Sequence, residues 1–409
     1  MRVNLMSLRK AWLLSPLALM ACGTIDETRV PAELTPLENT LEVEAPWRES
    51  VGSGVDERYL KLRPVLVGST LFATDALGTV SATGVEGERV WEQSLDVVVL
   101  TGLKRGGGAL FLGTEDGVVI ALSQSDGSML WRKQLGAEIM ALSNPSFGVV
   151  VARTADSELY GLDSRSGESL WQAGRTTPAL TLRGASEPVA DSGRIVVGFD
   201  DGNLLALSPT RGDVLWTTTI ANPSGTTELE RLVDIDGEIE VVDGIIYVAA
   251  FHGRVAAVTL SEGRILWSRR LSSHMGLDVD AERVYVTDVD GYVWALDRIN
   301  GATLWKQDKL KNRTVTAPAV IDEYLVVGDF EGYTHWLSKY DGHFVARLQT
   351  DGAGILATPL VAGDTAYVLH RSGELAALRI PVTEDRQPTA EEGILPSLDE
   401  ELPSLKNGF

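Results

Sequence analysis

Gly291-Tyr292-Val293-Trp294-Ala295-Leu296-Asp297-Arg298-Ile299-Asn300-Gly301-Ala302-Thr303-Leu304-Trp305 is the stretch that decides the fold. From Gly291 to Asp297 apolar and polar positions alternate, as in a strand with one buried face. Asn300-Gly301 then supplies the positive φ of a tight hairpin turn, and Ala302 to Trp305 begins the return strand. The ten-residue interval between the glycines, with its terminal Trp, recurs as Gly117/Gly127/Trp131, Gly202/Gly212/Trp216 and Gly253/Gly263/Trp267. Ser157/Gly167/Trp171 keeps it with one substitution, Gly332/Gly342/Ala346 loses the aromatic, and Gly78/Gly87/Trp91 is one residue short. Copies spaced by roughly forty residues mark a repeat architecture.

Each copy is preceded by a short apolar run, such as Leu325 to Gly328 or Ile195 to Gly198, that ends at an Asp-Gly-like turn. A further run, often carrying Pro, lies before that: Ala317-Pro318-Ala319-Val320, Glu187-Pro188-Val189-Ala190, Thr358-Pro359-Leu360-Val361. Four short antiparallel strands at this period describe a β-propeller blade. The tryptophans are expected in the core between neighbouring blades, where the ring buries apolar area and its N–H finds a carbonyl. An eighth half-motif, Ser372 to Leu378, lacks a following Gly and Trp, while Leu41-Glu-Val-Glu-Ala-Pro-Trp47 reads as an outer strand without a blade. Joining the two closes the ring and removes exposed sheet edges. The expected fold is therefore all-β, an eight-bladed propeller of four-stranded antiparallel blades closed by an N-terminal strand, with seven blades as the alternative. A chain of 409 residues with 41 Gly and 44% hydrophobic content is consistent with a large β core.

The ends read differently. Arg2, Arg9 and Lys10 precede an apolar stretch, 11–21, too short to span a bilayer. It ends Leu19-Met20-Ala21-Cys22, which resembles a bacterial lipobox, and Cys22 is the only cysteine. An exported chain with one cysteine makes no internal disulfide, so lipid attachment is the better use for it. The organisation expected is a lipoprotein signal peptide (1–21), a lipidated flexible tether (22–40), the propeller (41–380) and an acidic, proline-containing mobile tail (381–409). Gly23, where an Asp would signal inner-membrane retention, favours the periplasmic face of the outer membrane by analogy with bacterial sorting. A net charge of −21 argues against nucleic acid or an anionic lipid surface as partner. Membrane contact is expected only through the anchor.

No catalytic constellation emerges, and neither cofactor nor metal is expected. The five histidines are scattered without metal-ligand spacing. Lys104-Arg105-Gly106-Gly107-Gly108 lacks the pattern of a phosphate loop and reads as a flexible turn. Asp288-Val-Asp290-Gly291 and Asp234-Ile-Asp236-Gly237 hint at calcium loops without the closing Glu, and Asp-Gly turns are expected in every blade.

The repeat is stretched in two places. From Trp305 to Pro318 the crossing between blades takes 13 residues and from Trp131 to Pro145 it takes 14, but Trp171 to Pro188 takes 17 and Trp216 to Ile239 takes 23. Insertions on one face of a repeat protein commonly mark its binding surface. The first long crossing presents Leu180, Leu182 and Arg183; the second presents Glu228, Glu230, Arg231, Asp234 and Asp236. Two leucines beside an arginine suit a protein contact better than a small-molecule pocket.

At these loops, Leu180-Thr-Leu182-Arg183-Gly184 and Gly225-Thr-Thr-Glu228-Leu-Glu-Arg231-Leu-Val-Asp234-Ile-Asp236, the chain resembles the BamB family, lipoprotein subunits of the outer-membrane β-barrel assembly machinery. Val327-Gly328-Asp329-Phe-Glu331-Gly332-Tyr333 and Asp341-Gly342-His-Phe344-Val345-Ala346 carry the resemblance further. It implies a non-enzymatic, eight-bladed periplasmic scaffold that binds the POTRA domains of BamA, chiefly the third, and promotes insertion of barrel proteins. Unfolded outer-membrane proteins are a further expected partner. The resemblance also implies a contact centred on Leu180, Leu182 and Arg183, with Asp234 and Asp236 holding the arginine loop or meeting a basic partner residue. The acidic tail after Ile380 departs from the family pattern. Two alternatives share the ring: a propeller binding another envelope protein or a glycan, and a pyrroloquinoline-quinone dehydrogenase. Such enzymes usually have a longer chain, a calcium site, a funnel aspartate and often adjacent cysteines.

Overall fold

The computed structural model describes residues 29–174, 186–223, 226–227 and 233–381. Its strands form eight four-stranded antiparallel sheets, seven of them contiguous in sequence: blades 1 to 7 at 65–94, 104–134, 139–173, 189–219, 240–270, 277–307 and 319–349. Blade 8 takes three strands from 360–379 and its outer strand, Glu44–Ser50, from the other end of the chain. In blade 7 the order from channel to rim is Ala319–Ile321, Tyr324–Gly328, Tyr333–Ser338, Phe344–Gln349, with Val326, Trp336 and Ala346 in register. The two middle strands of a blade are covered by neighbouring blades on both faces, so runs such as Leu325-Val326-Val327 are apolar throughout rather than alternating. An aspartate often caps the turn between them. Asp329 Oδ1 accepts the N–H groups of Glu331 (2.9 Å) and Tyr333 (3.1 Å), and Asp288 and Asp75 serve their own turns in the same way. The Lys104–Gly108 run is only partly a turn: Lys104–Gly106 is the inner strand of blade 2, and Gly107-Gly108 makes the hairpin.

The tryptophans lie where the repeat placed them, and they lock each blade to the next. The indole Nε1–H groups of Trp47, Trp91, Trp131, Trp171, Trp216, Trp267 and Trp305 each donate to a backbone carbonyl of the following blade at 2.8–3.1 Å. The ring lies flat on the hairpin glycine of that blade. A Cβ on Gly87, Gly127, Gly167, Gly212, Gly263, Gly301 or Gly342 would stand 2.5–2.8 Å from the indole. These glycines also hold φ between +71° and +96°, so both backbone and contact demand the missing side chain. This explains why Gly and Trp recur together.

The seam between blades 7 and 8 lacks that pair, because Ala346 replaces the Trp and blade 8 has no hairpin between its last two strands. The N-terminal strand closes the ring instead, with Trp47 opposite Ala377, and Leu41 is buried in one cluster with Trp336, Ala346, Val368 and Leu378. The chain leading into that strand is not the free tether expected up to Thr40. The N–H groups of Thr40 and Leu41 donate to Val345 O at 2.8 and 3.0 Å, and the Asn39 amide pairs with both the N–H and the C=O of Arg347. The Arg347 and Arg313 guanidinium groups donate to Thr35 O (2.9 Å) and Ala32 O (3.0 Å). Composition marked the segment as polar, but its carbonyls and one asparagine find partners along the rim of blade 7.

Replacing Trp267 by Ala, a buried ring in a seam of this kind, is expected to cost about 3–5 kcal/mol in urea unfolding. Gly301→Ala, which puts a methyl into that ring from the opposite side, should destabilise the same seam. Wild-type midpoints for both variants would refute the interlock.

Candidate functional site

In every blade the crossing to the next inner strand and the turn between the two middle strands lie on one face. The two stretched crossings leave blade 3 after Ala173 and blade 4 after Thr219, so they flank blade 4 on that face. Leu180, Leu182 and Arg183 lie outside the described residues, as do Glu228, Glu230 and Arg231. Asp234 and Asp236 are described, and their setting is internal.

Ile235 fixes them. Its side chain is fully buried and packs onto Gly198 of blade 4, where a Cβ would meet Ile235 Cγ2 at 2.3 Å. Asp234 and Asp236, on either side of it, lie close enough for their carboxyl groups to interact. Asp234, bridged to Phe251, is 0% exposed. Its carboxyl oxygens accept no N–H or O–H from other described side chains or backbone, and its one partner is the Asp236 carboxyl, to which it hydrogen-bonds when protonated. Across from it, Arg153 of blade 3 reaches over the seam to blade 4. It donates to Gly198 O at 2.9 Å, pairs with Asp200 and packs over the Phe199 ring at 5.0 Å. Burial pushes the Asp234 carboxyl well up, Asp236 and Asp200 push it further, and Arg153 only partly opposes them. Asp236 is raised as well, chiefly by burial, with Lys61 pulling the other way. Near neutrality the dyad therefore keeps a proton.

Below lies the central channel, bridged by a third long crossing. Residues 51–64, between blades 8 and 1, reach to the far side of the ring. The Tyr59 hydroxyl meets Met275 Sδ at 3.6 Å, Lys61 Nζ donates to His274 O at 2.9 Å, and Arg63 pairs with Glu238 at 3.3 Å. Acids on or just ahead of the inner strands of blades 4 to 6 surround these cations. Glu187 also pairs with Lys104 of blade 2, while Asp278 Oδ2 accepts the Val320 N–H at 2.7 Å. Burial, with Asp278 and Glu238 adding to it, pushes the Glu240 carboxyl up to about 8. Burial also lowers the Lys61 ammonium, against the pull of Glu238 and Asp236. Among the described residues no group of three or more His, Cys, Asp or Glu is arranged to hold a metal ion.

The structure thus brings Asp234 and Asp236 together and adds Arg153, Asp200, Lys61 and Tyr59 around them. Arg153 had no signal in the repeat pattern. The Lys61 crossing did have one: the step from Trp47 to Val65 is as long as that from Trp171 to Val189. Asp234 offers no surface for a partner to touch. Asp236 is partly exposed.

The family model described as "Outer membrane protein assembly factor BamB" matches residues 75–307. A protein of that name from Pseudomonas aeruginosa is 44% identical over 366 residues, covering 89% of this chain and 96% of its own length. The one from Escherichia coli K12 is 36% identical over 390 residues, covering 91% of this chain and all of its own. The chain belongs to the BamB family. Among solved structures, BamB from Moraxella catarrhalis superposes with a TM-score of 0.76 at 28% identity, covering 83% of this chain and 100% of that one.

A carboxyl whose pKa is raised on folding holds a proton in the native state that the unfolded chain has released, so stability falls as pH climbs between the two values. Asp234→Asn should therefore gain thermal stability over wild type progressively as pH rises from about 4 towards 8. Glu240→Gln should gain between the usual glutamate range and about 8. Melting curves at pH values across this window check both, and a constant offset from wild type would contradict the assignment.

Proposed function

We propose that this chain is a non-enzymatic scaffold lipoprotein of the outer-membrane β-barrel assembly complex. It docks on the periplasmic POTRA domains of BamA and promotes folding and insertion of outer-membrane β-barrel proteins. The observation that carries this reading is the extent of the similarity: relatives named outer membrane protein assembly factors are matched over 94–100% of their own length. Lipid on Cys22 would hold the propeller at the periplasmic face of the outer membrane, with Cys22 as the first residue after the signal peptide.

The docking patch proposed is the pair of crossings that flank blade 4. Leu180 and Leu182 supply area that loses water on contact, and Arg183 makes a charge-assisted contact to a carboxylate or carbonyl of BamA. Asp234 acts from beneath. Its buried side chain, with Arg153 and Asp200 across the seam between blades 3 and 4, supports the base of the second crossing. Asp236 is the less buried member of the pair, although its Oδ1 is enclosed.

Reversing the charge with Arg183→Glu is expected to abolish co-purification with BamA and to leave thermal unfolding of the propeller unchanged. Leu180→Asp and Leu182→Asp should each weaken capture by tenfold or more, about 1.4 kcal/mol or above for a desolvated anchor. Undiminished capture of all three variants would refute the patch, and capture of a different envelope protein in place of BamA would refute the partner.

A further inference from the structure

The rim of blade 7 already holds a peptide. Residues 32–41 run antiparallel to the outer strand Phe344–Gln349, and their contacts divide into two kinds. Some use the backbone and accept any residue: Ala32 O to Arg313, Thr35 O to Arg347, and the Thr40 and Leu41 N–H groups to Val345 O. Others read the side chain. Leu34 packs against the cluster of Trp305, Leu325 and Val327, Leu37 is half-buried, Leu41 is buried, and Asn39 pairs with both backbone groups of Arg347. Thr35, Pro36 and Glu38 are exposed.

The last ten residues of the chain repeat this pattern without a gap. Glu401-Leu402-Pro403-Ser404-Leu405-Lys406-Asn407 matches Glu33-Leu34-Thr35-Pro36-Leu37-Glu38-Asn39 at four of seven positions. The matches include both leucines and the asparagine, and the mismatches fall on the exposed positions. Phe409 then falls at the place of the buried Leu41. Pro403 is compatible with the place of Thr35, which contributes its carbonyl.

We propose that residues 400–409 are a second ligand for the blade 7 rim and compete there with residues 32–41. The described chain ends at Pro381, just beyond the third strand of blade 8, which is next to blade 7. Eighteen residues separate Pro381 from Glu400. At about 3.3 Å per residue they span roughly 60 Å, several times the width of a blade, so the tail reaches the seat within one molecule. The seat offers the tail the same carbonyl donors, Arg347 and Arg313, the latter already paired with Asp329 and Glu331. When the tail is seated, the N-terminal segment is released and the tether lengthens by the ten residues it gives up.

Hydrogen exchange read by mass spectrometry on the full chain tests this. Leu34→Asp with Leu37→Asp empties the seat, and residues 402–409 should then exchange about tenfold more slowly than in a chain that also carries Leu402→Asp and Leu405→Asp. The tail pair alone, which alters no described contact, should slow exchange of residues 33–41 at least twofold by removing the competitor, roughly 0.4 kcal/mol. Equal tail rates with and without the tail substitutions, or no change at 33–41 when the tail is altered, would overturn the proposal. Protection of the tail that grows with protein concentration would also overturn it, since the occupant would then be a second copy.

Discussion

An indole of one blade lying on a glycine of the next is the contact on which this ring depends. A flat ring of this size can reach the neighbouring carbonyl only if no side chain stands between, and the hairpin turn beneath it can take its left-handed φ only with glycine or at a strain. The two demands coincide at one residue, so the interface tolerates neither partner's loss. Repeating the contact at seven seams fixes the stacking of the blades and with it the position of everything on the upper face. The remaining seam is built from different material. There Ala346 leaves room, the N-terminal strand supplies the outer edge, and the segment before it is tied down by Asn39 and by Arg313 and Arg347. Those arginines are held by a buried relay: Arg313 Nε donates to Asp329 Oδ2 at 2.8 Å and Arg347 Nε to His335 Nδ1 at 3.2 Å. The latter bond leaves the His335 Nε2 proton for Asp329 at 2.9 Å, so the ring is neutral, in keeping with the downward push of burial on His335.

Closing eight blades also brings eight short inner strands to one axis, and charge accumulates there. Glu187, Glu238, Glu240 and Asp278 converge from blades 4 to 6, and Lys61 and Arg63 arrive from the opposite side on the crossing that precedes blade 1. Isolated, such carboxylates would cost several kcal/mol each to bury. The crossing offsets part of that cost and, in doing so, stitches opposite sides of the ring together. Asp234 is the least compensated of the acids, and it sits under the crossing that the family resemblance associates with docking. A buried carboxyl that keeps its proton demands no cation, which lets Arg153 serve Asp200 and Gly198 instead.

The docking proposed for the upper face and the peptide seating on the rim use different physics. In the docking patch proposed there, Leu180 and Leu182 beside Arg183 supply apolar anchors and a cation, the composition of a protein contact centre. The rim of blade 7 offers backbone groups, guanidinium donors and apolar contacts, which hold an extended peptide through both its backbone and its leucine and asparagine side chains. The two surfaces belong to different blades, so occupancy of one need not obstruct the other.

Gly291 to Trp305 and its copies are enough to write down the strands and hairpins, because period-two alternation and a Gly–Trp interval are local properties of the chain. The half-motif at Ser372 to Leu378 and the orphan strand read at Leu41 to Trp47 then favour eight blades over seven, and the closing strand itself runs Glu44–Ser50. Local pattern also located the two stretched crossings. It could not show that Asp234 is sealed while Asp236 keeps surface, since that follows from Ile235 seating on a glycine of another blade. Nor could it place Arg153 against Asp200, Lys61 across the channel from its own blade, or residues 32–41 on blade 7. Those contacts join residues from 47 to more than 300 positions apart, and their partners are set by closure of the ring, a distance constraint that no window of sequence contains.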